Sequence, residues 1–276
     1  MDEQIEQPVS RGLNKPQAKQ PASISRKEYP FPTEIISLPS KGLCYPESNP
    51  LSAGEITVKL MTAREEDILT NAALIKKGIQ LDKLLESIVV EPGVNINDLV
   101  IGDKNAILVT SRILAFGPQY DVKLTDPFDD EEVEVAIDLS KIKIKEVDES
   151  LLNRNNEYDF TLPISKIAIK FKMLTHGDET IINRDVEASL KALKTGNEIT
   201  TRYRRILIEV DGSRDFGTIS NFVTNRLLAG DSKALRKYMA TLTPDLDLNF
   251  DYTSPVTGDT EALRIPFGVG FFYPAD

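Results

Sequence analysis

The spacing of apolar residues changes several times along the chain, and each change predicts a different kind of secondary structure. Residues 55–61 alternate apolar and polar side chains, which is typical of a strand. Residues 62–117 instead carry apolar residues at helical spacing, with the capping-box pair Thr62 and Glu65 at the start. Alternation returns in residues 120–139. The pattern therefore predicts an α+β fold.

The second half of the chain repeats this change of period. Residues 158–163 and 166–174 predict two more strands, and residues 247–264 predict strand, turn and strand. Between them, helical patterns begin at about residue 184 and stop at Pro244. The clearest helical stripe has charged residues opposite it and consists of Ile199, Tyr203, Ile206, Leu207 and Val210.

Six segments follow from these patterns and from local composition. The first is rich in Gln, Pro, Ser and Lys and offers little apolar surface to bury, so we expect it to be disordered. The segments are a disordered N-terminal tail (1–28), an extended arm and strand (29–61), a helical domain (62–117), a first hairpin (118–140), strands and a second helical group (141–246), and a second hairpin with an aromatic C-terminal segment (247–276).

The tips of the two predicted hairpins have similar sequences. DPFDD at 126–130 aligns with SPVTG at 254–258, and each follows a threonine. The pattern is that of the zinc knuckle Cys-Pro-x-Cys-Gly. A structural zinc ion needs thiolate or imidazole ligands, which these tips lack. The sequence thus indicates a degenerate, cysteine-less zinc ribbon without metal, or else two unrelated turns that share a proline. The four cysteine positions are occupied by Asp126, Asp129, Ser254 and Thr257.

Composition argues against several classes of function. The chain has 33 basic and 43 acidic residues and a net charge of -10, which disfavours nucleic-acid binding. The densest basic group, Arg202, Arg204 and Arg205, fits a solvated helix face. A single cysteine, Cys44, excludes an intramolecular disulfide. No signal peptide and no apolar run of roughly 20 residues is present, so we expect a cytoplasmic protein without membrane contact.

Candidate catalytic chemistry is sparse. The single histidine, His176, lies in LTHGDE, which predicts a polar turn after a strand. A serine or cysteine hydrolase usually needs a histidine base, and no partner constellation accompanies this one. We therefore predict no enzymatic activity and no cofactor. The alternative from another class is a metal-dependent hydrolase that uses Asp126, Asp129 and His176.

Four stretches resemble a known family. They are LPSKGLCYP (38–46), ITVKLMTAREEDILTN (56–71), LVIGDKNAILVTSRILAFGPQYDV (99–122) and IPFGVGFFYP (265–274). Their motifs and order resemble the T4-type bacteriophage baseplate proteins, a family that includes hub subunits and hub-assembly proteins. Many members of that family look like cysteine-bearing knuckle proteins at the two hairpin tips. This sequence differs from them at those positions.

The resemblance implies a tail baseplate hub component or a hub-assembly chaperone that binds other baseplate or hub proteins. It implies a location in the host cytoplasm during assembly and, for a retained component, in the tail baseplate of the virion. A non-phage adaptor protein is a further alternative. No small-molecule substrate is expected.

Partner contacts are predicted at the N-terminal arm, the hairpin tips and the aromatic C-terminal segment, because aromatic residues are enriched at interfaces. For the C-terminal aromatics, docking onto the chain's own core is an equal alternative. We also expect truncation of residues 1–30 or 266–276 to impair complex formation but to leave the core folded. The candidate contact residues are Phe31, Leu43, Tyr45, Phe267, Phe271, Phe272 and Tyr273.

Overall fold

The computed structural model describes residues 29–193, 196–266 and 269–272. The predicted disordered tail and the candidates Phe267 and Tyr273 lie outside these residues. Helices and short strands alternate along the described chain. The strands are β1 (Thr33–Ser37), β2 (Glu55–Lys59), β3 (Gln119–Thr125), β4 (Glu132–Asp138), β5 (Tyr158–Thr161), β6 (Ala168–Phe171), β7 (Leu207–Val210), β8 (Asn249–Thr253) and β9 (Thr260–Arg264). The helices are α1 (Ala63–Thr70), α2 (Ala72–Lys76), α3 (Gln80–Ile88), α4 (Ile101–Phe116), α5 (His176–Leu193), α6 (Glu198–Ile206), α7 (Phe216–Asn225) and α8 (Ala229–Leu242).

The strands of the described residues form small antiparallel sheets. β1 pairs with β2, β3 with β4, and β8 with β9, while β5, β6 and β7 form a three-stranded sheet in that order. The mixture of helices and small antiparallel sheets confirms the predicted α+β class. Within the described residues, none of the helices has the length and apolar character needed to cross a bilayer.

Two local predictions differ from the structure. The stripe that predicted one helix through Val210 is divided, since α6 ends at Ile206 and the next four residues form β7. β7 pairs with β6, so a contact with a distant strand decides the conformation of those residues. The segment at His176, predicted as a polar turn, is the first turn of α5, where Thr175 and Asp178 exchange hydrogen bonds as in a capping box.

One connected hydrophobic core joins the helices and the sheets. Its fully buried members include Leu51, Leu84 and Phe171, which come from segments far apart in the sequence. Several polar side chains that enter this core are held by specific partners, since a buried polar group without a hydrogen bond is destabilising.

Glu65, the predicted capping-box residue at the start of α1, is one of these polar side chains. It is fully buried and accepts hydrogen bonds from the Thr62 amide at 2.9 Å and from the Ser87 hydroxyl at 2.5 Å. Its carboxylate also lies 2.7 Å from the Lys59 ammonium. Burial alone would raise the pKa of Glu65, but these bonds outweigh it and lower the pKa to about 2.

This network predicts a pH-dependent contribution to stability. The folded pKa lies below the ordinary 4.5, so the network stabilises the fold fully above that pH and the contribution is lost as pH falls towards 2. We expect Glu65→Gln to have a lower free energy of unfolding than the native chain at neutral pH. The difference should shrink in acid, as measured by urea denaturation at stepped pH. A difference that stays constant from neutral pH to about pH 2 would contradict this assignment.

Candidate protein-binding surface

The hairpins β3–β4 and β8–β9 lie side by side. The Tyr252 hydroxyl donates a hydrogen bond of 2.7 Å to Oδ2 of Asp126. Asp126, Ser254 and Tyr252 are 0%, 1% and 5% exposed, so the contact excludes solvent. Burial would raise the pKa of Asp126, but the hydrogen bonds outweigh it and lower the pKa. Burial and the neighbouring Asp126 raise the pKa of Tyr252 to about 12. Asp126 and Tyr252, named here the buried lock, fix one hairpin to the other.

The two tips have the same backbone geometry. The Asp126 amide donates to the carbonyl of Glu131, and the Asp130 amide donates back to the carbonyl of Asp126, at 2.8 Å and 3.0 Å. Ser254 and Gly258 make the equivalent bonds in the second tip, at 2.9 Å and 3.0 Å. The fifth residue of each turn has a positive φ, 61° at Asp130 and 75° at Gly258. The sequence alignment of the tips therefore reflects a shared turn and not merely a shared proline.

The four knuckle positions accept amide hydrogen bonds from their own tips. In each case the side-chain oxygen accepts from the amide two residues later. The distances are 2.8 Å for Asp126, 3.0 Å for Asp129, 3.3 Å for Ser254 and 3.2 Å for Thr257. These side chains therefore stabilise the turns directly. In the part of the chain that the structure describes, no three His, Cys, Asp or Glu residues converge in a way that could hold a metal ion.

The outer face of the paired tips combines apolar and acidic side chains. Pro127, Phe128, Pro255 and Val256 are exposed, Phe128 by 38% and Val256 by 74%. Residues 126–132 and 254–262 contain no lysine or arginine. We name this face the paired-tip surface. Its exposed acidic residues are Asp130, Glu131, Glu132, Asp259 and Glu261.

The other predicted contact residues occupy different environments. Phe31 is 38% exposed and Leu43 is half-buried, so both reach the surface. Tyr45, Phe271 and Phe272 are only 2%, 1% and 1% exposed, and the core contacts account for their burial. A partner-binding role for these residues stays a prediction, and Phe31 is the one best placed for it.

The C-terminal aromatics dock onto the chain's own core through Arg112 of α4. This arginine is 1% exposed and donates to the carbonyls of Phe271, Gly117 and Gln119 at 3.0, 2.8 and 2.9 Å. The Phe271 ring also packs edge-on against Tyr120, with centroids 5.1 Å apart. Removal of residues 266–276 would take buried side chains out of the core. We therefore expect this truncation to destabilise the core, and whether the core still folds without these residues stays a prediction.

Two of the stretches that carry the family resemblance meet at Asp103. Its buried carboxylate accepts hydrogen bonds from the Ser40 amide and hydroxyl at 2.9 and 2.6 Å, and from the Tyr45 hydroxyl at 2.5 Å. The neighbouring Gly102 is required by close packing, because a Cβ there would lie 1.9 Å from the carbonyl oxygen of Pro244. The hydrogen bonds of Asp103 thus connect the Leu-Pro-Ser and Gly-Asp-Lys motifs. This contact is named here the Asp103 joint.

His176 lies in a separate cavity of about 870 Å³ between α3, α4 and α5. Its Nε2 atom is 3.5 Å from Oδ1 of Asp82, and Lys104 forms an ion pair with Glu179 beside them. Burial lowers the pKa of His176 and raises that of Asp82. Sequence reasoning missed this group because its members come from three helices with no shared motif.

The geometry does not join the residues of the hydrolase alternative. Asp126 accepts the Tyr252 hydroxyl within the buried lock, and Asp129 accepts the Glu131 amide. The nearest carboxylate recorded for His176 is Asp82. A metal-dependent hydrolase built on Asp126, Asp129 and His176 has no support from these contacts.

Comparison with known protein families gives a match over most of the chain. A family model described as T4 bacteriophage base plate protein matches residues 35–265. No curated protein and no solved structure matches the chain. The family match spans most of the 276 residues and includes both hairpins, the Asp103 joint and Arg112. The chain therefore belongs to the family of T4 bacteriophage base plate proteins.

Proposed function

We propose that this chain is a component of the tail baseplate hub, or a chaperone of hub assembly, and that it acts by binding other baseplate proteins without bond chemistry. Membership of the baseplate family supports a role among phage tail proteins. The paired-tip surface is the observation that carries the proposal. It is an exposed apolar face on a locked pair of hairpins, which suits recognition by a neighbouring subunit.

The buried lock makes the paired-tip surface suitable for binding. Protein association is opposed by the entropy lost when flexible loops become ordered. Here each tip is closed by two backbone hydrogen bonds, and the tips are joined by Tyr252 and Asp126. Little further ordering is needed when a partner docks, so more of the contact energy is available for affinity.

The hairpin pair also supports a finer proposal about the fold. We infer that it is a metal-free counterpart of a two-knuckle zinc ribbon. Its knuckle positions accept amide hydrogen bonds within the tips, and Asp126 also accepts the Tyr252 hydroxyl of the other hairpin. In this proposal, hydrogen bonding performs the cross-linking task that a metal ion would otherwise perform.

The paired-tip surface can be tested in infected cells. We expect Phe128→Asp with Val256→Asp to abolish co-purification of baseplate proteins with the tagged chain, because charge on both tips disrupts an apolar contact. The control is Ile144→Asp with Leu151→Asp, which changes side chains of 46% and 47% exposure outside the hairpin pair. Affinity purification with mass spectrometry, and equal thermal stability of both variants, are the measurements.

Baseplate proteins recovered equally with the tip variant and the native chain would refute the role of this surface. Detection of the same tag in finished virions distinguishes a hub component from an assembly chaperone. A hub component is retained in the particle, whereas an assembly chaperone is found only with intermediates in the host cytoplasm.

A further inference from the structure

A third hairpin has the same turn as the paired tips. Between β5 and β6 the sequence Thr161-Leu162-Pro163-Ile164 has the threonine and proline spacing of the other two tips. The Leu162 amide donates to the carbonyl of Ile167, and the Lys166 amide donates to the carbonyl of Leu162, both at 3.0 Å. Lys166 has a φ of 61°, and the first residue, Leu162, is fully buried. Sequence, hydrogen bonds, φ and burial thus identify a third copy of the turn.

The third turn obtains its side-chain acceptor from another element. Leu162 has no side-chain oxygen, unlike Asp126 and Ser254. Asp231 in the first turn of α8 replaces it, accepting from the Ile164 and Ser165 amides at 2.8 and 3.1 Å. Asp231 is fully buried, and these amide bonds outweigh its burial and lower its pKa. The third tip is therefore fixed to α8, whereas the first two are fixed to each other.

The third tip also exposes apolar side chains, but its charges are basic. Ile164 is 59% exposed and Leu228, just before α8, is 45% exposed. Ile164 lies close to the start of α8, since a Cβ on Gly230 would lie 2.4 Å from Cδ1 of Ile164. Lys166 follows the tip, and Lys233 lies one helical turn after Gly230. We name this face the third-tip surface; its exposed basic residues are Lys166, Arg226 and Lys233.

We propose that the paired-tip surface of one copy docks onto the third-tip surface of a second copy. The first surface has an apolar centre with only acidic charges, and the second has an apolar centre with exposed basic charges. Such complementarity steers association and fixes orientation. Because the two surfaces differ, the contact is head-to-tail, which forms closed rings or open chains of subunits. This inference rests on the proposed use of the paired tips as a binding face.

The test uses the purified full-length chain alone, in sedimentation velocity at about 0.1 M and about 1 M salt, where the screening length falls from about 10 Å to about 3 Å. We expect oligomers that dissociate at the higher salt. Two charge-reversal variants should each weaken self-association by more than about tenfold, since each places like charges in contact. One variant is Glu131→Lys with Glu132→Lys, and the other is Lys166→Glu with Lys233→Glu. Mixing the two variants restores opposite charges and should restore association.

The control variant is Lys76→Glu with Lys77→Glu, which makes the same charge change on exposed residues of α2 and just after it. It should associate like the native chain. A native chain that stays monomeric at about 0.1 M salt would overturn the proposal, as would oligomers insensitive to either reversal or a mixture that fails to associate. Circular dichroism confirms that each variant is folded. Self-association and co-purification with other baseplate proteins are measured separately. A chain that fails to self-associate but still co-purifies with baseplate proteins would overturn this inference and leave the proposed function intact.

Discussion

Arg112→Met is expected to lower the free energy of unfolding by about 3–5 kcal/mol, because it leaves one buried and two partly buried carbonyl groups without their donor. The guanidinium donates to three backbone carbonyls, one of which belongs to Phe271. Methionine fills much of the same volume but has no donor. The loss is a large share of the roughly 5–15 kcal/mol that stabilises a typical domain. Urea denaturation followed by circular dichroism measures it.

Arg202→Met is the matched control, since its side chain is 38% exposed and pairs with Glu198 on the surface of α6. An exposed ion pair of this kind contributes about 0–1 kcal/mol. We expect the control to unfold close to the native chain. If the two arginine variants lost similar stability, the carbonyl contacts of Arg112 would not be the cause.

Asp103→Ala is the second substitution with a large expected effect. It removes the acceptor of three hydrogen bonds and leaves the Ser40 amide, the Ser40 hydroxyl and the Tyr45 hydroxyl buried. An unsatisfied buried polar group costs roughly 1–3 kcal/mol, and the removal of a buried carboxylate partially offsets that cost. We expect a net loss of about 3 kcal/mol, measured by urea denaturation.

A double-mutant cycle tests whether the hydrogen bond between Tyr45 and Asp103 stabilises the fold, as opposed to independent packing contributions from the two side chains. In the native background, Tyr45→Phe removes one donor to Asp103 and should destabilise the fold. In the Asp103→Ala background, the same change removes a hydroxyl that has lost this acceptor but still accepts from the Val100 amide, so its effect should be smaller than in the native background. Additive effects of the two substitutions would show that Tyr45 and Asp103 are not coupled.

The features predicted best from sequence are those set by neighbouring residues. The hairpin β3–β4 follows from strict alternation across residues 119–138, and the start of α1 follows from the Thr62 and Glu65 spacing. β7 was missed because its conformation depends on pairing with β6, more than thirty residues earlier. Periodicity reports local conformation, and it does not encode which distant strand is available.

Sequence patterns predicted only part of the candidate surface, again because they depend on neighbouring residues. The paired tips were identified from their proline and threonine spacing, but the Tyr252–Asp126 contact joins positions 126 residues apart, which no local pattern reveals. The third turn did carry a usable signal, Thr161-x-Pro163. It was overlooked because Leu162 cannot act as a ligand or acceptor, and its substitute, Asp231, lies on another helix.

The attachment of Phe271 to Arg112 has a consequence for synthesis. The two residues are 159 positions apart, and ribosomes add about 5–20 residues per second. The interval between making the arginine and making its last carbonyl acceptor is therefore roughly 10–30 s. The hydrogen bonds of Arg112 in α4 therefore cannot be complete until residue 271 has been synthesised.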